Sequence, residues 1–195
     1  NEHSNVVFGG DGYSSEWHEM AVKERGLKNI PTTADALPAL REKSVINLFE
    51  STGVLSPVEL ESRFEVYAEQ YVLSIEVEAK LVIDMAKTLI YPAAIEYLST
   101  LSKTSADLSA MGVKLDNTTA TTVAEHANAM MAAVGKLSAA LAQHDFGSTE
   151  EHMQYCANTL RGLMDDVRSH ADVLETEVAD ELWSLPKYQE MLFIK

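Results

Sequence analysis

The amino-acid sequence predicts an all-α protein: an antiparallel bundle of about three long helices, with short N-terminal helices and a C-terminal apolar tail. Three observations predict it. Apolar residues recur at steps of three and four along three long stretches, the period of a helix that buries one face. Two of those stretches open on a Ser-x-x-Glu signature, at Ser56–Glu59 and Ser148–Glu151, in which the two side chains cap each other's free amides. A chain of 195 residues with a 46% apolar fraction hides roughly 70% of its unfolded surface, so it needs neither disulfide nor metal to fold.

The elements follow in order. Val6-Val7-Phe8 runs into the turn Gly9-Gly10-Asp11-Gly12. Ser14 or Ser15 caps a short helix to about Arg25, with Glu16 and Glu19 at its positive end and Gly26 as its stop. Ile30–Thr33 is a linker, Thr33 caps the next helix, Pro38 interrupts it, and Gly53 closes it after Phe49. Pro57, at the first position after Ser56, opens the longest helix, since its missing N–H costs nothing there. Leu60, Phe64, Tyr67, Tyr71, Ile75, Ala79, Val82, Met85, Leu89, Ala93 and Tyr97 form its expected buried stripe. Run to Leu101 it is roughly 65 Å long at 1.5 Å per residue, with a kink at Pro92.

Lys103 to Asn117 reads as a polar connection. A second long helix spans about Thr119 to Gln143, with Val123, Ala127, Met130, Val134, Leu137 and Leu141 on one face. The third follows Ser148 and runs to Ser184-Leu185-Pro186, burying Met153, Cys156, Leu160, Leu163, Val167, Ala171, Leu174, Val178 and Leu182. The tail through Met191-Leu192-Phe193-Ile194 is too apolar to stay free in water and is expected to dock. The expected organisation is an arm over 1–55, the bundle over 56–183 and a docking tail over 184–195.

Charge narrows the partners. Fifteen basic against 30 acidic residues leave a formal charge of −15, which repels phosphate backbones and anionic headgroups, so neither nucleic acid nor membrane is expected as a partner. No apolar run approaches the ~18 residues of a membrane span. Asn1–Asn5 has no basic region and no hydrophobic core after it, so no signal peptide is expected. A start without Met suggests a longer parent chain. The one cysteine, Cys156, lies on an apolar stripe and reads as a core residue in a reducing, cytoplasmic setting.

The search for chemistry yields little. Gly9–Gly12 lacks the Gly-Lys-Ser/Thr ending and the preceding strand of a phosphate loop, so it reads as a turn. His3, His18, His126, His144, His152 and His170 form none of the helical spacings that place two metal ligands on one face. His144 and His152 flank one turn and meet only by accident of packing. Asp165-Asp166 with Arg168, and Glu175, Glu177, Asp180 and Glu181, read as solvated faces. Met130, Met131 and Met164 sit at core spacing. Arg63, Glu65, Tyr67, Glu69, Glu76, Glu78, Lys80, Asp84 and Lys87 crowd charge onto the most apolar helix. Salt-bridged pairs such as Lys80 with Asp84 are the plain expectation, and a partner surface is the second. No catalytic, cofactor-binding or metal-ligating residue is assigned.

The strings themselves resemble a family. Gly10-Asp11-Gly12-Tyr13-Ser14 with Glu16-Trp17, Arg25-Gly26-Leu27, Asp35-Ala36-Leu37-Pro38 and Gly53-Val54-Leu55-Ser56 resemble the C-terminal region of type III glutamine synthetases. So do Glu59-Leu60-Glu61-Ser62-Arg63, Met85-Ala86-Lys87-Thr88 with Pro92-Ala93-Ala94, and the ending Leu185 to Ile194. Lys103 to His152 is the least characteristic stretch. The resemblance implies a cytoplasmic parent that joins ammonia to glutamate through γ-glutamyl phosphate, using ATP and Mg or Mn. It also implies a homo-oligomer of two stacked hexameric rings, with active sites at subunit junctions. The family's metal and nucleotide motifs have no counterpart here, so no residue role is carried over. The chain is therefore expected to be a non-catalytic structural and assembly domain, partnered by the catalytic domain of the same chain and by neighbouring subunits. The alternative is a sensory or ligand-binding bundle of a receptor, suggested by the Ser/Thr/Ala-rich run from Thr100 to Thr122.

Overall fold

The computed structural model describes residues 7–192, apart from the side chains of Tyr188 and Gln189. His3 and the tail residues Phe193, Ile194 and Lys195 lie outside the described residues. The described chain is all-α, with no strand among its residues. It divides into two compact units, Asn1–Ala68 and Glu69–Lys195, and one helix begins in the first and continues into the second.

In the first unit, α1 (Ser15–Lys23) is capped by Ser14, whose hydroxyl accepts from the Trp17 amide. It stops at Gly26, where a φ of 65° favours a residue without Cβ. The Leu27 amide then reaches back to the Ala21 carbonyl, satisfying an acceptor in the helix's last turn. The next helical stretch is broken into three pieces: α2 (Thr33–Ala36), a 3₁₀ turn over Leu37–Arg41, and α3 (Lys43–Ser51). Its cap is Thr32, not the expected Thr33, because the Thr32 hydroxyl accepts from the Asp35 amide. Pro38 falls early in the 3₁₀ turn, where its lack of a donor is tolerated.

α4 (Pro57–Met85) opens on the expected capping box. The Ser56 amide donates to Glu59 Oε2 at 2.7 Å, and the Glu59 amide to Ser56 Oγ at 3.3 Å. Helical backbone then continues through a π turn, Ala86–Ile90, into α5 (Tyr91–Ala110). Two expectations change here. The buried stripe is Leu60, Phe64, Ala68, Val72, Ile75, Ala79, Ala86, Ile90, Ala93 and Ala94, whereas Tyr67 and Leu89 are exposed. Steps of four from Phe64 carry the stripe to Ala68 and Val72 rather than Tyr67 and Tyr71. Steps of seven from Ala79 then carry it through Ala86 to Ala93, so that Ala86 and Ile90 are buried rather than Met85 and Leu89. The Tyr91 amide bonds to the Ala86 carbonyl across this widened turn, just before Pro92, whose ring crowds a regular α turn.

The helix also runs nine residues past the expected end at Leu101, to Ala110. Leu101, Ser105 and Leu108 are half-buried at steps of four and three, and Thr104 satisfies its hydroxyl on the Thr100 carbonyl at 2.9 Å. The polar residues between them are simply the solvent face of a helix. The real connection is Met111–Asn117, with Gly112 at a φ of 81°.

α6 (Thr118–Leu141) buries Val123, Ala127, Met130, Ala133, Val134 and Leu137. The last long helix is α7 (Thr149–Tyr155), a second π turn (Cys156–Leu160) and α8 (Arg161–Glu177). Ser148 caps it by accepting from the Glu151 amide, and Glu151 reaches back to the Gly147 amide at 2.8 Å. The helix ends at Glu177, short of the expected Ser184, and Val178 turns extended while staying buried. The cause is in the sequence: Glu175 and Glu177 set negative charge at the negative end of the helix dipole, with no Lys or Arg in the last turn to offset it. A 3₁₀ turn (Asp180–Leu182) and the short α9 (Tyr188–Leu192) follow.

α6 packs against both α5 and α8. Its direction relative to the last helix is read from paired contacts. His126 meets His170, Lys136 meets Asp166, and the Ala140 carbonyl accepts from the Tyr155 hydroxyl. One number rises as the other falls, so the two helices are antiparallel.

Candidate functional site

The described residues singled out from the sequence have defined places. In the first unit, the Gly9–Gly12 loop is a turn in which Asp11 Oδ1 accepts from the Tyr13 amide at 2.9 Å, the local bond that Asp makes in Asx turns. Phe8 stacks on Trp17 with ring centroids 4.3 Å apart, and the Arg25 guanidinium lies 5.1 Å from the Trp17 ring. The strongest polar node is Arg41. It donates to both carboxylate oxygens of Glu61 and to Glu65, and its guanidinium lies 3.8 Å from the centroid of the buried Phe64 ring. The Arg41 hydrogen bond holds the Glu61 carboxyl below its ordinary pKa.

In the second unit, two histidine clusters form that no spacing rule reveals. His126 and His170 approach Nδ1 to Nδ1 at 3.1 Å, with rings crossed at 61°. Asp166 and Lys136 flank them, Asp166 lying 4.0 Å from His170 and 3.9 Å from Lys136. The only sequence signal was positional, since each histidine adjoins a core alanine, Ala127 or Ala171. In the other cluster, Glu76 Oε1 sits 3.2 Å from His152 Nε2, and Phe146 stacks on the imidazole at 4.2 Å. His144 and His152 do share one place: both line an open cleft of about 500 Å³ with Glu69, Val72, Phe146 and Ser148. Lys80 pairs with Glu76 at 3.7 Å rather than with the expected Asp84, because Glu N-terminal to Lys by four is the favoured order.

Glu76, His152 and Cys156 invite a nucleophile–base–orienter reading, and the thiol refuses it. Burial, with the Glu76 charge added, pushes Cys156 up to about 11. A catalytic cysteine needs the opposite shift, because the thiolate is the nucleophile. Cys156 is a core residue, wholly buried in the second π turn.

A second cavity, of about 370 Å³, lies among Met85, Ile90, Val167, Ala171, Trp183 and Leu185. Its walls are apolar apart from Arg168, Asp172 and Glu175, and Arg168 pairs with Asp172. The Trp183 indole N–H is buried without an acceptor. Among the described residues no three His, Cys, Asp or Glu side chains gather as metal ligands. No helix among the described residues is long and apolar enough to cross a membrane.

Taken together, the described residues form an all-α module with side-chain-capped helices and ion-paired surfaces. The chain belongs to the family described as the glutamine synthetase C-terminal domain, whose model matches residues 1–109. It is 36% identical over its whole length to the type-3 glutamine synthetase of Dictyostelium discoideum. It is 29% identical to a glutamine synthetase of Bacteroides fragilis (strain YCH46), over 97% of this chain, and 31% identical to one of Butyrivibrio fibrisolvens, over 98%. The chain spans about 28% of the length of these relatives. The family model stops close to where the sequence loses its characteristic strings, and the relatives extend the match beyond it.

Proposed function

We propose that this chain is the non-catalytic structural and assembly domain of a type III glutamine synthetase. In this reading the parent ligates ammonia to glutamate with ATP and Mg or Mn, in the cytoplasm, as a homo-oligomer built from hexameric rings. The catalytic machinery lies outside these residues, and the helices brace it and contribute to subunit contacts. One observation carries the reading: full-length similarity to a type-3 glutamine synthetase that is confined to 28% of that protein. The core placement of Cys156 agrees with a packing role. The expected organisation, an arm over 1–55, a bundle over 56–183 and a docking tail over 184–195, belongs to the same proposal.

Deleting these residues from the full-length protein is the test. Light scattering and a glutamine-forming assay are expected to show both a smaller assembly and lost activity. Unchanged size together with unchanged turnover would sink the proposal.

A further inference from the structure

α4 buries one side and leaves the opposite side bare. Val72, Ile75 and Ala79 are buried, whereas Leu73, Val77 and Leu81 are 58%, 54% and 53% exposed. At 3.6 residues per turn the three exposed residues fall within about 80° of arc, nearly opposite the buried three. Beside them lies a shallow depression of about 330 Å³, lined by Gln70, Leu73, Ser74, Val77 and Glu78. Single exposed leucines are ordinary on a soluble protein. An in-register stripe on the far side of a helix that is already packed is the pattern of a helix meant to be covered on both sides.

We propose that the Leu73–Val77–Leu81 stripe is the surface on which this domain docks against the remainder of its own polypeptide. The occupant is an apolar segment flanked by Lys or Arg. This rests on the assembly reading above and names the surface that reading requires. Two observations choose the occupant. The relatives carry nearly three quarters of their length outside the matched region, so the largest available partner is the rest of the chain. Charge disfavours a second copy of this domain. Glu69, Glu78 and Asp84 border the stripe, Lys80 is engaged by Glu76, and the whole chain carries −15. Two such faces would set carboxylate against carboxylate, which costs affinity, whereas basic flanks would complete the rim.

The test uses the full-length protein with a photo-crosslinking residue in place of Leu81. A second variant, Val77→Cys, is compared in maleimide labelling with Ser109→Cys, an exposed control on α5; native Cys156 is buried and slow. The expected result is a cross-link to a peptide outside these 195 residues. Labelling at position 77 is expected to be slower than at 109 by on the order of tenfold or more. A cross-link to this domain in another copy overturns the proposal, as does labelling at 77 as fast as at 109. Either result can stand beside a deletion that still disrupts assembly, so failure of the surface and failure of the assembly role are told apart.

Discussion

His126 and His170, 44 residues apart, meet Nδ1 to Nδ1 at 3.1 Å across the α6–α8 contact. For that bond to exist, one ring must present its proton and the other its lone pair at the same atom. The pair therefore fixes the tautomers of two side chains and staples two antiparallel helices. Truncating either member leaves the other's nitrogen part-buried and without this partner. We expect His126→Ala and His170→Ala each to cost about 1–3 kcal/mol. The double variant should cost less than their sum by about 0.5–1.5 kcal/mol. Urea titrations of the four proteins measure this, and strict additivity would show that the contact contributes nothing.

Arg41 does two jobs at one position, pairing with Glu61 and Glu65 while covering the face of Phe64. Lysine keeps the charge and loses both the planar fork and the stacking. Arg41→Lys is expected to destabilise the first unit by about 0.5–1.5 kcal/mol, the modest size reflecting a partly solvated site. Thermal unfolding followed at Trp17 reads it out. If Arg41→Lys melts like the native protein, the fork and the stack are ornamental.

Acid should loosen the same unit. The Ser56 amide, and then the Ser56 hydroxyl, lower the pKa of Glu59; the Arg41 side chain does the same for Glu61. A carboxyl whose folded pKa lies below its unfolded value binds fewer protons when folded. Its stabilisation is complete above the unfolded value and disappears as pH falls through the folded one. Stability should thus decline below pH ~4.3, the ordinary glutamate value, and Glu61→Gln should flatten part of that decline. Urea midpoints from pH 6 to pH 2.5 test the slope, and parallel curves for the two proteins would refute it.

Cys156 should be silent in the native state. With its thiol raised to about 11, roughly one molecule in a thousand holds a thiolate at pH 8, and burial blocks access as well. Ellman's reagent is expected to react fast in 6 M urea and only at the rate of opening in buffer. Rapid native labelling would contradict the core placement.

Much of the fold was legible along the chain, because it rests on local physics. The Ser56 and Ser148 boxes, the glycine stop at Gly26 and the apolar period of α6 each depend on residues within one or two turns. The errors arose where local signals were incomplete. The polar run after Leu101 proved helical because its half-buried residues kept period, and α8 stopped early because acidic residues crowd its negative end. The π turns escaped notice altogether. They lie at Ala86–Ile90 and Cys156–Leu160, each inside a continuous helical run, and no composition rule announces them.

By itself, the order of residues determined that this chain is helical, acidic and akin to the glutamine synthetase C-terminal domain. Capping, periodicity and motif strings are properties of neighbours in sequence. Only the tertiary structure decided that His126 finds His170, that Glu76 holds His152, and that Leu73, Val77 and Leu81 stay bare. Those outcomes depend on helix phase and on which faces come together, and both accumulate over many turns.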